Sequence, residues 1–302
     1  MTAFAEPPLD ESAFATLPHQ GAGGHDWLAI WQAMHDAEHA QTVALAGQQP
    51  VRDADRWAGK ARRFAQSAGR AAQPDAFLRA ILPQLRLTDT LLDIGAGTGR
   101  HTAFLAQHVA QVFAVEPSAS MREQLQRLDD RAGQHVTVLP ESWPSADVPA
   151  CDIAICAHVV YGVREIGPFL ARMHHVARRA CFLLVGFCQP SFALSPFWEA
   201  IYGVPRLPLP GALECLNVLY QLGIPAQLSL LPTSRYRFAD RQEALEDLRW
   251  RLYLPNDAAS EALITAAIDA LLERDGSGWL ALPNQPEAVA MLWWTHTPKT
   301  QP

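Results

Sequence analysis

The sequence predicts a doubly wound α/β fold, in which a mostly parallel sheet is covered by helices on both faces. Between residues 90 and 185, apolar runs of about five residues alternate with helix-like segments. Such near-continuous apolar runs indicate parallel strands that are buried on both faces. A glycine-rich turn follows the first run, where folds of this kind bind ligands. The chain has 302 residues, 49% of them hydrophobic and 18% charged, which is typical of folded proteins.

Seven apolar runs fit strands of this sheet, and helical spacing fills most of the intervals between them. The first five strands are predicted at Thr90–Ile94, Gln111–Val115, His135–Leu139, Asp152–Cys156 and Cys181–Val185. The last two are predicted at Ala226–Leu231 and Ala288–Trp294. The helices between strands are predicted over Met121–Leu128, Pro168–Ala177, 241–253 and 258–273.

Two segments interrupt this alternation and predict additions to the sheet. Residues 1–50 are expected to form a loose leader and then a helix, in which Trp27, Leu28 and Trp31 recur at helical spacing. Residues 187–223 are rich in proline and aromatic residues and predict a helical insertion after the fifth strand. We therefore expect an N-terminal helical extension over 1–50 and a sheet domain over 51–302, with 187–223 as its cap.

Composition and charge argue against several classes of function. The net charge is −7, and basic residues form no run longer than a pair, so the positive surface that nucleic acids require is not evident. The longest apolar run, Cys181–Cys188, has eight residues, whereas a membrane helix needs about 20. The N-terminus carries no basic residue before an apolar stretch, and the five cysteines form no CxxC pair. We expect a cytoplasmic protein with reduced thiols and without nucleic-acid or membrane partners.

The most informative segment is the turn LLDIGAGTGR at Leu91–Arg100, which has the spacing D-x-G-x-G-x-G. The dinucleotide fingerprint G-x-G-x-x-G fails, because its sixth position falls on Arg100 or Thr102. The carboxylate of Asp93 would repel a pyrophosphate but suits an ammonium group. Glu116 follows the last glycine by 17 residues and ends the second strand, where an acid can accept hydrogen bonds from ribose hydroxyls. An ordinary strand–helix turn is the alternative, but together these features describe a nucleoside joined to an amino acid.

The segment LLDIGAGTGRHT…VFAVEPSASM resembles the class I S-adenosylmethionine-dependent methyltransferases, a Rossmann-like family, in their small-molecule branch. The resemblance covers roughly residues 55–187 and is closest over 91–121. It implies that the loop Asp93–Gly99 surrounds the methionine part of the cofactor and that Glu116 holds the ribose. It also implies that Glu141 contacts the adenine amino group, although this chain has Pro-Glu-Ser where the family more often has Gly-Asp-Ala.

Further cofactor contacts are implied by the same resemblance. The helix before the first strand closes over the methionine part in this branch, which points to Trp57 and Phe64, unless both are only core residues of that helix. Trp143 is expected to pack against the adenine edge, and the carbonyl of Ala157 to face the cofactor's amino group. The complete set of expected contacts is Trp57, Phe64, Asp93, Gly95, Ala96, Gly97, Thr98, Gly99, Glu116, Pro117, Glu141, Ser142, Trp143 and Ala157.

Methyl transfer is an in-line displacement, which requires alignment of donor and acceptor and exclusion of water. His158 and Tyr161 follow the fourth strand and are the catalytic candidates, since a neutral imidazole could accept a proton and Tyr161 could orient it. The alternative is that His158 bonds only its own loop. Four aromatic residues are expected either to line a pocket for a small apolar or aromatic acceptor or to be plain packing: Trp198, Tyr202, Tyr220 and Tyr236.

Two other functions stay open, namely methylation of a macromolecule such as tRNA or protein, and binding of S-adenosylmethionine without catalysis. The segment after the fourth strand, Ala157–Val160, reads AHVV rather than the Asn/Asp-Pro-Pro-Tyr of amino-group nucleic-acid enzymes. The run HDAEH at His35–His39 matches the zinc-hydrolase pattern H-x-x-E-H. No third ligand is evident, so we expect a polar helix face there and no metal.

Overall fold

The computed structural model describes residues 24–46, 57, 61, 74–132 and 135–296. The described part contains a seven-stranded sheet flanked by helices, which confirms the predicted fold class. Its strands are β1 (Thr90–Ile94), β2 (Gln111–Val115), β3 (Val136–Leu139), β4 (Cys151–Ala157), β5 (Ala177–Val185), β6 (Gln227–Pro232) and β10 (Ala288–Thr295). Their order across the sheet is β3-β2-β1-β4-β5-β10-β6.

All strands of this sheet except β10 run parallel. β10 lies between β5 and β6 and is antiparallel to both. The carboxyl ends of β1, β2, β4 and β5 therefore share one edge, which is where ligands bind in doubly wound folds. We call this edge the carboxyl edge.

The helices in chain order are α1 (Trp27–Ala46), α2 (Ala76–Ile81), α3 (Thr102–Leu105), α4 (Ala119–Ala132), α5 (Ile166–Val176), α6 (Ser195–Tyr202), α7 (Ala212–Gln221), α8 (Arg241–Arg251) and α9 (Ala258–Leu271). The helix before the first strand, which is expected to carry Trp57 and Phe64, lies almost wholly outside the described residues. α6 and α7 lie between β5 and β6, where the insertion was predicted. No helix in the described ranges is long and apolar enough to cross a membrane.

Strand β1 shows how the sheet is buried on both faces. Leu91 packs into an apolar cluster with α2 and α3, whereas the next residue, Leu92, packs into a cluster with α1, α5 and α7 on the other face. Because side chains alternate between faces along a strand, a sheet covered on both sides needs apolar residues at consecutive positions. This explains why the strands could be recognised as continuous apolar runs.

The strand that departs most from the apolar pattern is β5. β5 begins at Ala177 rather than Cys181, and α5 correspondingly ends at Val176. The additional positions include Arg179, whose guanidinium donates to Asp89 at 2.5 Å. Arginine therefore occupies the start of a central strand because its charge is paired at the end of the sheet, and apolar runs do not reveal such positions.

A second, three-stranded sheet was not predicted. Its strands are β7 (Arg237–Phe238), β8 (Glu273–Arg274) and β9 (Leu280–Ala281), in the order β7-β9-β8. It packs with α6, α8 and α9 around a third apolar cluster. The predicted cap 187–223 is thus divided, because α6 joins this third cluster whereas α7 packs against the main sheet.

Candidate functional site

The glycine-rich turn after β1 requires glycine at two positions for different reasons. Gly95 and Gly97 have φ angles of +73° and +58°, a region that side-chain-bearing residues disfavour. A Cβ on Gly95 would also lie 2.4 Å from Cγ2 of Val159, in the segment that follows β4. A Cβ on Gly97 would meet no atom within 4 Å. Packing therefore demands glycine at 95, whereas the chain leaves space beside Gly97.

Glu116 connects this turn to the end of β2. Its Oε2 accepts a hydrogen bond from the backbone N–H of Gly97 at 2.8 Å, and its Oε1 accepts one from Ser118 N–H at 2.8 Å. The side chain is buried, and burial raises the pKa of the carboxyl. Because each carboxylate oxygen has two acceptor positions, both oxygens can still accept a hydroxyl.

Asp93 lies beneath the turn and is also buried. Its Oδ2 accepts a hydrogen bond from the hydroxyl of Thr102 at 2.6 Å, and burial raises the pKa of this carboxyl as well. Since Thr102 begins α3, the bond ties the last part of β1 to the helix after the glycines. No pattern in the sequence marks Thr102 as a partner of Asp93.

A second carboxylate, Asp75, fixes the turn from the side of α2. Its side chain accepts the backbone N–H of Leu78 at 2.9 Å and lies 3.0 Å from both His101 Nε2 and Arg100 Nη2. Although burial alone would raise it, the pKa of Asp75 is held at about 2 by the bonds from His101 and Leu78 and by the nearby charges. The sequence offered no signal for this contact, because Asp75 and His101 are 26 positions apart.

The segment after β4 places His158 and Tyr161 together at the carboxyl edge. His158 has a φ of +59°, and its backbone N–H donates to Leu184 O at 2.9 Å. Its Nδ1 lies 3.2 Å from the hydroxyl of Tyr161, which accepts the backbone N–H of Gly186. The predicted interaction between the two side chains is therefore present.

His158 is solvent-exposed, yet its pKa is lowered to about 4. The main cause is desolvation by surrounding protein, and the charges of His101 and Arg100 add to it. The imidazole is thus exposed to solvent and at the same time close to many protein atoms. It is neutral at physiological pH, and a pKa of about 4 makes it a weaker proton acceptor than an ordinary histidine.

The residues expected around adenine follow the ends of the neighbouring strands β2 and β3. Pro117 and Glu141 are exposed and lie two positions beyond the paired residues Val115 and Leu139. Ser142 is exposed, and its backbone carbonyl accepts N–H groups of the following turn. Trp143 is half-buried, and its indole donates to Phe169 O in α5 at 3.1 Å. The other expected contacts lie in or beside the turn, with Ala96 and Ala157 half-buried and Thr98 and Gly99 buried.

The aromatic residues predicted to surround the acceptor do not form one group. Trp198 is fully buried in the third cluster, 4.5 Å between ring centroids from Tyr202, whose hydroxyl donates to Leu252 O. Tyr236 packs at the edge of the same cluster, and its hydroxyl donates to Asp247. Tyr220 lies apart on α7, more than half exposed.

Two of the predicted site residues lie before β1. The ring of Trp57 is 6.0 Å from that of Trp250 in α8, so Trp57 lies beside the third cluster. Phe64 lies outside the described residues.

α1 covers the segment that carries His158. The indole of Trp31 donates to Val163 O at 2.8 Å. In the H-x-x-E-H run, Asp36 accepts two hydrogen bonds from Arg164, and Glu38 pairs with Arg206. Within the described ranges, no group of three or more histidine, cysteine or acidic side chains could hold a metal ion.

Comparison with known proteins gives a family for the central part of the chain. Residues 92–185 match the family model described as a methyltransferase domain. An uncharacterized protein of Haemophilus influenzae is 26% identical over 244 residues, which cover 79% of this chain and 88% of that protein.

Two solved structures illustrate the similarity at the level of coordinates. The YcgJ protein of Bacillus subtilis has a TM-score of 0.48 and 14% identity, covering 72% of this chain and 96% of its own. Magnesium protoporphyrin IX methyltransferase of Synechocystis, solved with bound SAH, has a TM-score of 0.42 and 17% identity, covering 70% of this chain and 95% of its own.

Proposed function

We propose that this chain is an S-adenosylmethionine-dependent methyltransferase, which the match of residues 92–185 to a methyltransferase domain supports, and that it methylates a small, apolar or aromatic acceptor at the carboxyl edge. The observation that carries the proposal is the bond between Glu116 and Gly97. It joins the ends of β1 and β2 beside an accessible, neutral His158.

The residues at the turn fit the proposed cofactor. The space beside Gly97 leaves the backbone open to close approach, and both oxygens of Glu116 have acceptor positions left for ribose hydroxyls. The buried carboxyl of Asp93 suits the ammonium end of the methionine part. We assign the adenine end to the side where Pro117, Glu141 and Ser142 are exposed and Trp143 is fixed by Phe169.

Bound S-adenosylmethionine would supply an electrophilic methyl group on a sulfonium centre. The chain's own contribution is then to hold the acceptor in line and to exclude water. We assign the first role to His158, supported by Tyr161, and the second to α1, which is bonded to the segment after β4 through Trp31. The third cluster contains Trp198 and packs against Tyr202 and Tyr236, which supports a largely apolar cap over the acceptor.

The low pKa of His158 predicts how kcat/KM should depend on pH if His158 takes part in the reaction. The imidazole is neutral above pH 5, so a contribution from His158 keeps kcat/KM constant from about pH 6 to 9 and lowers it only as the pH falls toward 4. An ordinary histidine base would instead give an inflection near its reference pKa of about 6.5.

The test uses S-adenosylhomocysteine formation with a panel of small aromatic and aliphatic acceptors and with bulk tRNA. His158→Ala should lower kcat by about 10²-fold, the low end of general acid–base effects, while S-adenosylhomocysteine affinity stays within twofold of wild type. His175→Ala is the matched control, because His175 is exposed on α5 and bonds only its own helix. If methyl transfer occurs with tRNA and with none of the small acceptors, the acceptor is a macromolecule and the proposal of a small acceptor is wrong. Cofactor binding with no transfer to any acceptor would support a binding protein instead.

A further inference from the structure

Three buried side chains of the cap carry N–H groups that have no acceptor in the described part of the chain. They are Nε and Nη1 of Arg206, Nε1 of Trp198 and Nε2 of Gln189. Arg206 is 7% exposed, Trp198 0% and Gln189 4%. The guanidinium carbon of Arg206 lies 4.9 Å from the centre of the Trp198 ring. Buried polar groups are normally paired, so such a concentration of unpaired donors requires an explanation.

α1 holds Arg206 in this position without satisfying it. Oε1 of Glu38 lies 3.1 Å from Nη2 of Arg206 and also accepts the hydroxyl of Thr42. Gln41, one turn further on, donates to Pro205 O at 2.8 Å and accepts Leu207 N–H at 2.8 Å. The segment on both sides of Arg206 is therefore fixed to α1, while two of the three guanidinium nitrogens remain unbonded.

This segment leads to the proposed acceptor site. Leu209 N–H donates to Oε1 of Gln189 at 2.9 Å, which leaves the amide nitrogen of Gln189 free. Gln189 follows the end of β5 and is three positions beyond Gly186, whose N–H is bonded to Tyr161. Gln189 therefore connects the segment that follows Arg206 with the end of β5, three positions beyond the residue that is bonded to Tyr161.

The chemistry of these groups selects their ligand. Arginine and indole N–H groups donate and do not accept, so their ligand must supply hydrogen-bond acceptors. A carboxylate fits best, because hydrogen bonds from a guanidinium to a charged oxygen are the strongest of this kind. The aliphatic part of an acceptor could not accept from these nitrogens, and an aromatic face would accept only weakly.

We propose that the methyl acceptor carries a carboxylate that binds Arg206 and the indole N–H of Trp198, with Gln189 as a donor nearer the carboxyl edge. The proposal rests on the proposed function, since it names a chemical feature of that acceptor. It also explains why a charged side chain of the cap, Arg206, is buried. The aromatic or apolar body of the acceptor would extend from this anchor toward His158.

The test uses calorimetry in saturating S-adenosylhomocysteine to measure the affinity for benzoate, phenylacetate and cinnamate. The affinity for each carboxylate is compared with that for its neutral amide, which has nearly the same shape. Wild type should bind at least one carboxylate about tenfold or more tightly than its amide, as expected for bonds to a charged group. Arg206→Gln should abolish the preference. Arg164→Gln is the matched control, because it removes an exposed ion pair between Asp36 of α1 and Arg164.

Arg206→Lys separates loss of the ligand contact from loss of the fold. Lysine can still pair with Glu38, but it cannot replace the unpaired guanidinium nitrogens. It should bind S-adenosylhomocysteine like wild type and lose most of the carboxylate preference. No preference in any of the three pairs with wild type, or an unchanged preference in Arg206→Gln, would overturn the inference while the proposed function stands. Failure of wild type to bind S-adenosylhomocysteine would instead remove the proposed function itself.

Discussion

Replacing Gly95 and Gly97 separately by alanine tests whether the glycine-rich turn is built as described. Both positions have positive φ angles, and an alanine in that region costs about 1–2 kcal/mol. At Gly95 the new Cβ would also lie 2.4 Å from Cγ2 of Val159, and overpacking of this kind costs a further ~1–3 kcal/mol. We therefore expect Gly95→Ala to lower the free energy of unfolding by about 2–5 kcal/mol and Gly97→Ala by about 1–2 kcal/mol.

Urea unfolding of the two variants and of Val159→Ala measures this difference. Combining Gly95→Ala with Val159→Ala should restore the steric part of the loss, because alanine at 159 lacks the methyl group that collides. The double-mutant cycle therefore predicts a favourable coupling of about 1–3 kcal/mol between these positions. A double variant that unfolds at the sum of the two single losses would show that the two residues are not in contact.

The same variants separate folding from cofactor binding. Gly97→Ala should weaken S-adenosylhomocysteine binding by more than about tenfold, since a Cβ occupies the space where backbone and ligand approach each other, although the protein remains folded. Calorimetry supplies the affinity. Equal losses of stability in the two alanine variants would refute the packing argument. Unchanged affinity in Gly97→Ala would refute the position of the ligand.

Two further measurements address individual side chains. Glu116→Gln would place an amide NH2 against the N–H of Gly97 or Ser118. The affinity for S-adenosylhomocysteine should therefore fall by roughly 10–100-fold. Wild-type affinity in calorimetry would show that Glu116 is not part of the site. Burial lowers the pKa of His35 from 6.5 to about 4 in the folded protein. As the pH falls below 6.5, the imidazole is therefore protonated in the unfolded chain before it is protonated in the folded one, which favours unfolding. The melting temperature should therefore be constant above about pH 7 and fall between pH 6.5 and 4, less steeply in His35→Gln. Identical slopes would contradict a neutral His35.

Most of the sheet could be predicted because its strands are buried on both faces. Consecutive apolar residues such as Leu91 and Leu92 mark them directly, and β1 and β2 have the predicted bounds. The strands β7, β8 and β9 have two residues each, which is too short for any periodicity to appear. Their pairing depends on contacts between distant segments, which a local pattern does not contain.

The positions of some candidate residues could be predicted from their spacing at the ends of strands. Asp93 and Glu116 were identified in this way, and both lie at the carboxyl edge. Thr102 and Asp75 were not identified, because neither residue type is unusual at its position and their partners are reached only through folding. The same limit applies to Glu38. The helical spacing of α1 predicted a polar face there, but it could not reveal the partner of Glu38, because Arg206 is 168 positions away.

The division of the cap has a consequence for engineering by segment exchange. The third cluster draws Phe197 from α6 and Leu248 and Ile264 from α8 and α9, whereas α7, in the same predicted insertion, belongs to the main sheet. A chimaera that takes residues 187–223 from a relative would therefore mismatch two interfaces at once. A graft with compatible surfaces must take two stretches, about 189–205 and 233–285, and leave α7 and β6 in the recipient. The residues around the third cluster thus form one module that is discontinuous in sequence, and recombination must transfer both of its stretches together.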